Sequence, residues 1–193
     1  MQNLTILNAA ESMATGINDL GQIVGSYTLD RGGPWGVFFW DPNTGVRDIG
    51  VPKVGRPRMG HINNQGFVVG KFDASGDESF LSIWTREGGL RRVRPARGVP
   101  VQTDGLNNAN RFIACTNRKK LVIRKFDIVP HIDSYLWDPN EGFMELAGRL
   151  GRTDVFEFFA TGINDKGQIL GVLRLTNQSY PFTVVLQPIP PRR

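Results

Sequence analysis

Cysteine is almost absent from this chain: Cys115 is the only one. No intramolecular disulfide can form, so the cross-linked framework of a small secreted domain is excluded and the fold must rest on packing. Histidine is nearly as scarce. His61 and His131 stand at unrelated positions, with no cysteine or paired carboxylate at metal-ligand spacing, so no metal site and no cofactor is assigned. Long apolar runs are missing too, and nothing approaches the roughly 18 residues of a membrane helix. The N-terminal stretch Met1 to Asn8 has neither a basic leader nor an apolar segment of signal-peptide length, which fits a cytoplasmic protein or one whose leader has been removed. A Gly-x-Ser-x-Gly elbow and a phosphate-binding glycine loop are also lacking, and no catalytic residue is assigned.

What the chain does have is repetition. Gly16-Ile17-Asn18-Asp19-Leu20-Gly21-Gln22-Ile23-Val24-Gly25 returns as Gly162-Ile163-Asn164-Asp165-Lys166-Gly167-Gln168-Ile169-Leu170-Gly171. Two further copies begin at His61-Ile62-Asn63-Asn64 and at Gly105-Leu106-Asn107-Asn108. Each copy reads as a strand, a tight turn and a return strand. Asn and Asp favour such turns because their side chains bond nearby backbone, and glycine supplies positive φ without a steric penalty. Gly25, inside the return strand, marks a bulge or a close backbone approach.

A third strand follows in each module, at Gly36 to Trp40, Phe80 to Trp84, Tyr135 to Trp137 and Phe182 to Leu186. In the first three modules a turn and a short fourth strand come next, as in Asp41-Pro42-Asn43-Thr44-Gly45 and then Val46 to Gly50. Four antiparallel strands in about 40 residues is the size of a propeller blade. The expected fold is therefore all-β, a four-bladed β-propeller forming one domain over residues 1–187. Its blades fall near 12–50, 57–95, 101–147 and 157–187, with a Pro/Arg-rich tail over 188–193. The fourth module lacks both its Trp and its fourth strand. Residues 3–8 belong to no module, so they are expected to supply that strand and close the ring. The alternative is a partial propeller completed by another chain or by self-association.

These modules resemble the HAF-type extracellular repeat family of bacterial proteins, whose Ile-Asn-Asp-x-Gly-Gln-Ile/Val-Val-Gly motif matches the first and fourth copies. Asn110 replaces the turn glycine in the third. The resemblance implies a propeller-like repeat at the cell surface or outside it, and it carries no catalytic residues.

The repeated side chains have structural uses. Asn18, Asn63, Asn107 and Asn164 bond their own turns more readily than they ring a cation, and Asp19 and Asp165 alternate with Asn64 and Asn108, so no carboxylate ring exists. Trp40, Trp84 and Trp137 occupy one packing position; Trp35 lies outside the pattern and is a candidate exposed aromatic. Cys115 sits in the apolar run Phe112 to Cys115 and reads as a buried small hydrophobe.

Function is expected where the repeat breaks. Leu106 to Trp137 spans 31 residues against 23 for Ile17 to Trp40, an insertion that falls within residues 117–131 and alternates like an extended hairpin. It carries Arg118, Lys119, Lys120, Arg124 and Lys125, which with Trp35 form the candidate binding set. The chain's formal charge of +5 points the same way. The plain alternative is an edge hairpin that uses its charges against aggregation. Two functions stand side by side. One is a non-catalytic binding or scaffold module, a monomer or a self-associating ring, with an unknown protein or glycan partner or another anionic ligand. The other is a polysaccharide hydrolase or lyase using carboxylates such as Asp104, Asp133 or Asp154.

Overall fold

The computed structural model describes residues 3–50, 57–73, 79–96, 99–122 and 127–188, and every structural statement below concerns these. The architecture is all-β: four antiparallel sheets, with a single 3-10 turn at Ala147–Arg149 and no other helix among the described residues. No helix is long and apolar enough to cross a membrane. The chain divides into two compact units, Met1–Arg94 and Pro95–Arg193.

The first unit holds two four-stranded sheets. One runs β1 (Glu11–Ile17), β2 (Ile23–Thr28), β3 (Trp35–Asp41) and β4 (Gly45–Gly50); the other runs β5 (Pro57–Ile62), β6 (Val68–Asp73), β7 (Ser79–Thr85) and β8 (Gly89–Val93). Each is a simple meander, which follows from hairpin turns too short for any crossover. The β1–β2 turn keeps Gly21 at a φ of 74°, the left-handed region that its sequence position demands. Alternation along the strands puts Val24, Val37 and Phe39 of the first sheet against Ile62, Val68 and Trp84 of the second, all buried. The Phe39 and Trp84 rings lie 5.1 Å apart. Burying side chains of this size contributes about 1.5–3 kcal/mol each, so this joint is the main core of the unit.

The second unit repeats the plan with two changes. Its first sheet consists of β9 (Val99–Leu106), β10 (Phe112–Val122), β11 (Asp127–Asp138) and β12 (Gly142–Glu145); its second has only β13 (Val155–Ile163), β14 (Ile169–Leu175) and β15 (Phe182–Leu186). The inserted residues lengthen β10 and β11 into a hairpin paired from Phe112 opposite Trp137 out to Val122 opposite Asp127. Asn110 takes the turn at a φ of 59°, so asparagine does there what glycine does elsewhere. Ile113, Cys115 and Leu146 pack on Phe158, Ala160, Ile169 and Leu173 to form this unit's core.

The expected ring closure by the N-terminal segment is not what the structure shows. Residues 3–10 form no strand, and the last sheet has three strands among the described residues. Leu7 and Asn8 adopt φ of 48° and 56°, which no extended strand can include, and the Ala9 N–H closes a turn on the Ile6 carbonyl at 2.7 Å. Ile6 is buried on the first sheet with Tyr27 and Phe38, and Leu4, Leu7 and Ala9 pack against this cluster, as Ile23, Trp40 and Val46 of the sheet do. The segment is apolar because it covers the Trp40 side of that sheet, a use that its composition serves as well as strand pairing would.

Candidate functional site

The four shared asparagines do bond their own turns. The Asn18 Oδ1 accepts the N–H groups of Leu20 and Gln22 at 3.1 and 2.9 Å, and Asn63 and Asn107 repeat the arrangement. Their amides also reach across to the neighbouring sheet, where Asn18 Nδ2 donates to the Asn63 carbonyl at 2.7 Å and Asn107 Nδ2 to the Asn164 carbonyl at 3.1 Å. The next residue completes the stitch. Asn64 Nδ2 donates to Asp19 at 2.8 Å, and Asn108 Nδ2 to Asp165 at 2.9 Å. The exchange of aspartate for asparagine between adjacent modules is thus a matched pair in each unit. Two aspartates there would repel, and two asparagines would forgo the stronger charge-assisted bond.

The Asp-Pro-Asn turns carry a second recurrent carboxylate. Asp41 caps its own turn through the N–H groups of Asn43 and Thr44 and accepts from Gln22 at 2.8 Å and from Arg86 at 3.5 Å. Asp138 does the same with Asn140 and Glu141, while Arg111, standing where Gln22 does, donates to it at 2.6 Å. Burial pushes the Asp138 carboxyl up, but the Asn140 N–H, the Arg111 guanidinium and the Glu141 N–H together outweigh it and hold the group below its ordinary 3.8. A carboxyl held lower in the folded than in the unfolded chain stabilises fully above the ordinary value, and the stabilisation fades as pH falls through the folded value. Asp138→Asn is therefore expected to lower stability at neutral pH and to flatten its decline in acid, read as the urea midpoint against pH. An unchanged acid profile would show that the charge on Asp138 is immaterial.

Beside Asp138 lies a cavity of about 450 Å³, within the second unit and between its two sheets. Leu136, Met144, Leu146, Ile163, Ile169 and Leu186 give it an apolar lining, and Arg111, Asp138, Glu141 and Arg149 bring charge to it. The repeat explains why it is there. Trp40, Trp84 and Trp137 pair with Ile23, Val68 and Phe112, and the residue in the same register on β15, opposite Ile169, is Leu186. In the first unit Trp84 against Phe39 leaves a cavity of only about 220 Å³ in the joint; in the second a leucine leaves about twice that. The loss of the last Trp was visible in the sequence, but its consequence required knowing which joint that side chain fills.

The sequence-predicted binding residues fall mostly outside the described side chains. Arg118, Lys119 and Lys120 lie on β10, their backbones paired with His131, Pro130 and Val129, while their side chains and the whole of Arg124 and Lys125 lie outside the described residues. Trp35 opens β3 opposite Thr28 in the other unit and is half-buried. The three carboxylates weighed for catalysis are dispersed among other partners. Asp133 is buried on β11, Asp104 accepts from Gln102 at 2.5 Å, and Asp154 is held by Arg152 at 2.7 Å. None of them lines the cavity. Burial pushes the Cys115 thiol up to about 12, in keeping with a packing residue. No group of three or more His, Cys, Asp or Glu side chains among the described residues is placed to hold a metal ion.

Comparison with known proteins bears first on the fold. The crystal structure of TolB from Acinetobacter baumannii, a β-propeller-like protein, matches 92% of this chain at 14% identity with a TM-score of 0.55, and the match takes up 41% of the TolB chain. This chain thus spans less than half the length of that protein, and the likeness supports a propeller-like fold and nothing more. No curated protein matches. A family model matches residues 5–186, and it is not that of the HAF-type repeats. The Ile-Asn-Asp-x-Gly motif misleads because it is the chemistry of a bulged hairpin turn, which unrelated sheet proteins reach independently. Matched over nearly its whole length, the chain belongs to the family described as proteins of unknown function, DUF3466.

Proposed function

We propose that this chain is a non-catalytic binding or scaffold module: four blades of one propeller domain over residues 1–187, engaging an anionic partner, a glycan or an acidic protein surface, through the β10–β11 hairpin. The single observation that carries this reading is the length of that hairpin. Its strands run 11 and 12 residues where β2 and β3 have 6 and 7, so it extends beyond the meander that every other module keeps. Insertions that break a repeat commonly carry its contacts, and this one brings Arg118, Lys119, Lys120, Arg124 and Lys125 together in sequence. The TolB likeness, which covers both units, supports the single-domain reading, and Trp35 is a further contact in this proposal.

The test is binding to heparin as a model polyanion across a salt series. If all five cations engage, the logarithm of affinity should fall against the logarithm of salt with a slope of about −3.5 to −4.5. Combined Arg118→Glu, Lys119→Glu and Lys120→Glu substitutions should abolish the interaction while leaving the far-UV circular dichroism unchanged. A flat salt response, or full binding by the triple variant, would remove the hairpin from this role.

A further inference from the structure

The last sheet stops one strand short, and the edge it leaves is unusual. β15 pairs with β14, and no strand pairs with its other side among the described residues. Natural edges are blunted with charge, proline or shortness; β15 is five residues long between Pro181 and Pro188, but residues 180–188 carry no charge. Tyr180, Phe182 and Val185 are 83%, 38% and 52% exposed there. In the other three sheets this edge is covered by a fourth strand whose second residue is apolar and lies opposite the module's Trp: Val46 opposite Trp40, Leu90 opposite Trp84, and Phe143 opposite Trp137. A second apolar residue follows three positions later, at Ile49, Val93 and Leu146. In the last sheet the counterpart of Trp is Leu186, and the cavity of about 450 Å³ opens beside it.

We infer that the missing strand is β15 of a second copy of this chain, paired antiparallel about a two-fold axis through Val184. The register is self-complementary. With Val184 opposite Val184 of the second copy, Phe182 of each copy falls opposite Leu186 of the other. Residues four apart on a strand share a face, and Ile169 and Leu173, the β14 partners of Leu186 and Phe182, are buried in the joint between the unit's two sheets. The incoming Phe182 therefore enters on the cavity side, as Phe143 does opposite Trp137. Phe182 and Val185 also keep the three-residue spacing of Phe143 and Leu146. The new surface is continuous with an established joint, since Val184 and Leu186 already pack on the Ile113, Leu146 and Phe158 cluster. One isologous contact covers both edges, supplies both cavities with an aromatic ring and leaves nothing open for further growth.

A contact of one short strand and two rings is small by the standards of stable complexes, so the dimer is a reversible one. Sedimentation equilibrium of the whole chain over a wide concentration range should show monomer and dimer in exchange. Phe182→Asp, a change at an exposed position, should weaken the dimer at least about tenfold with an unchanged circular dichroism spectrum, since an aromatic anchor is lost from a buried pocket. Under mild oxidation, Val184→Cys should cross-link to itself, whereas Leu170→Cys, on the next strand and 45% exposed, should not. A wild-type chain that stays monomeric throughout, whether its edge is bare or covered by its own tail, overturns the inference. So does a dimer that Phe182→Asp leaves intact, or equal cross-linking at positions 170 and 184. Should Val184→Cys fail to fold, the mass measurements on the wild type and on Phe182→Asp still decide.

Discussion

Gly171→Ala is expected to destabilise the second unit by about 3 kcal/mol, at the upper end of what overpacking a core usually costs. The reason is a ring lying on bare backbone. A Cβ at Gly171 would stand 2.6 Å from two atoms of the Phe158 ring and 2.7 Å from the Phe159 carbonyl oxygen. Neither can retreat, because Phe158 is fully buried in the unit's core and the carbonyl belongs to the paired strand β13. Gly25 is the same device in the first unit, with the Phe38 ring 2.6 Å from where its Cβ would be, and Gly25→Ala should behave alike. Gly162 provides the contrast. A Cβ there meets nothing within 4 Å, so Gly162→Ala should fall within about 0.5 kcal/mol of wild type. Urea unfolding of the three variants checks this, and a Gly171→Ala midpoint close to that of Gly162→Ala would count against the packing account.

The second large effect is expected at Phe112. It is fully buried, stacked on Trp137 with centroids 5.0 Å apart, and met edge-on by Phe143 at 6.0 Å. Phe112→Ala should cost about 3–5 kcal/mol, the range for emptying a buried aromatic site. Phe112→Leu should cost less, since it keeps most of the volume and loses mainly the ring geometry, worth about 0.5–1.5 kcal/mol per aromatic pair. Calorimetry on both variants separates volume from ring contact. Equal losses would mean that the aromatic arrangement, and not the filled space, supports this sheet.

Both residues lie on the return strand of a repeated hairpin, which is the part of the fold that could be read in advance. The turn chemistry of Asn18, Gly21 and Asn110, the packing use of Trp84 and Trp137, and the lengthening of one hairpin all follow from local preferences that a sequence displays directly. The outcome differs where one composition serves two geometries. Leu4, Ile6 and Leu7 suit a closing strand and a covering segment equally, and only the left-handed backbone at Leu7 and Asn8 decides between them. The cavity was hidden for a related reason. The absence of Trp from the last module is plain, but empty volume belongs to a joint between two sheets and to no single residue. The HAF-type motif does not fix the family, because a motif shared for reasons of turn chemistry does not carry ancestry.

The opposed Asp19–Asn64 and Asn108–Asp165 pairs bear on how such a gene can change. A module moved or duplicated by recombination keeps its own strands, turns and Trp intact, yet its new neighbour need not carry the complementary residue. Putting an aspartate-bearing module in place of the asparagine-bearing one in either pair would set two carboxylates where a carboxylate and an amide now meet. The repeat is interchangeable in shape but not in charge, so the lawful unit of exchange in this chain is the adjacent pair of modules, not the single one.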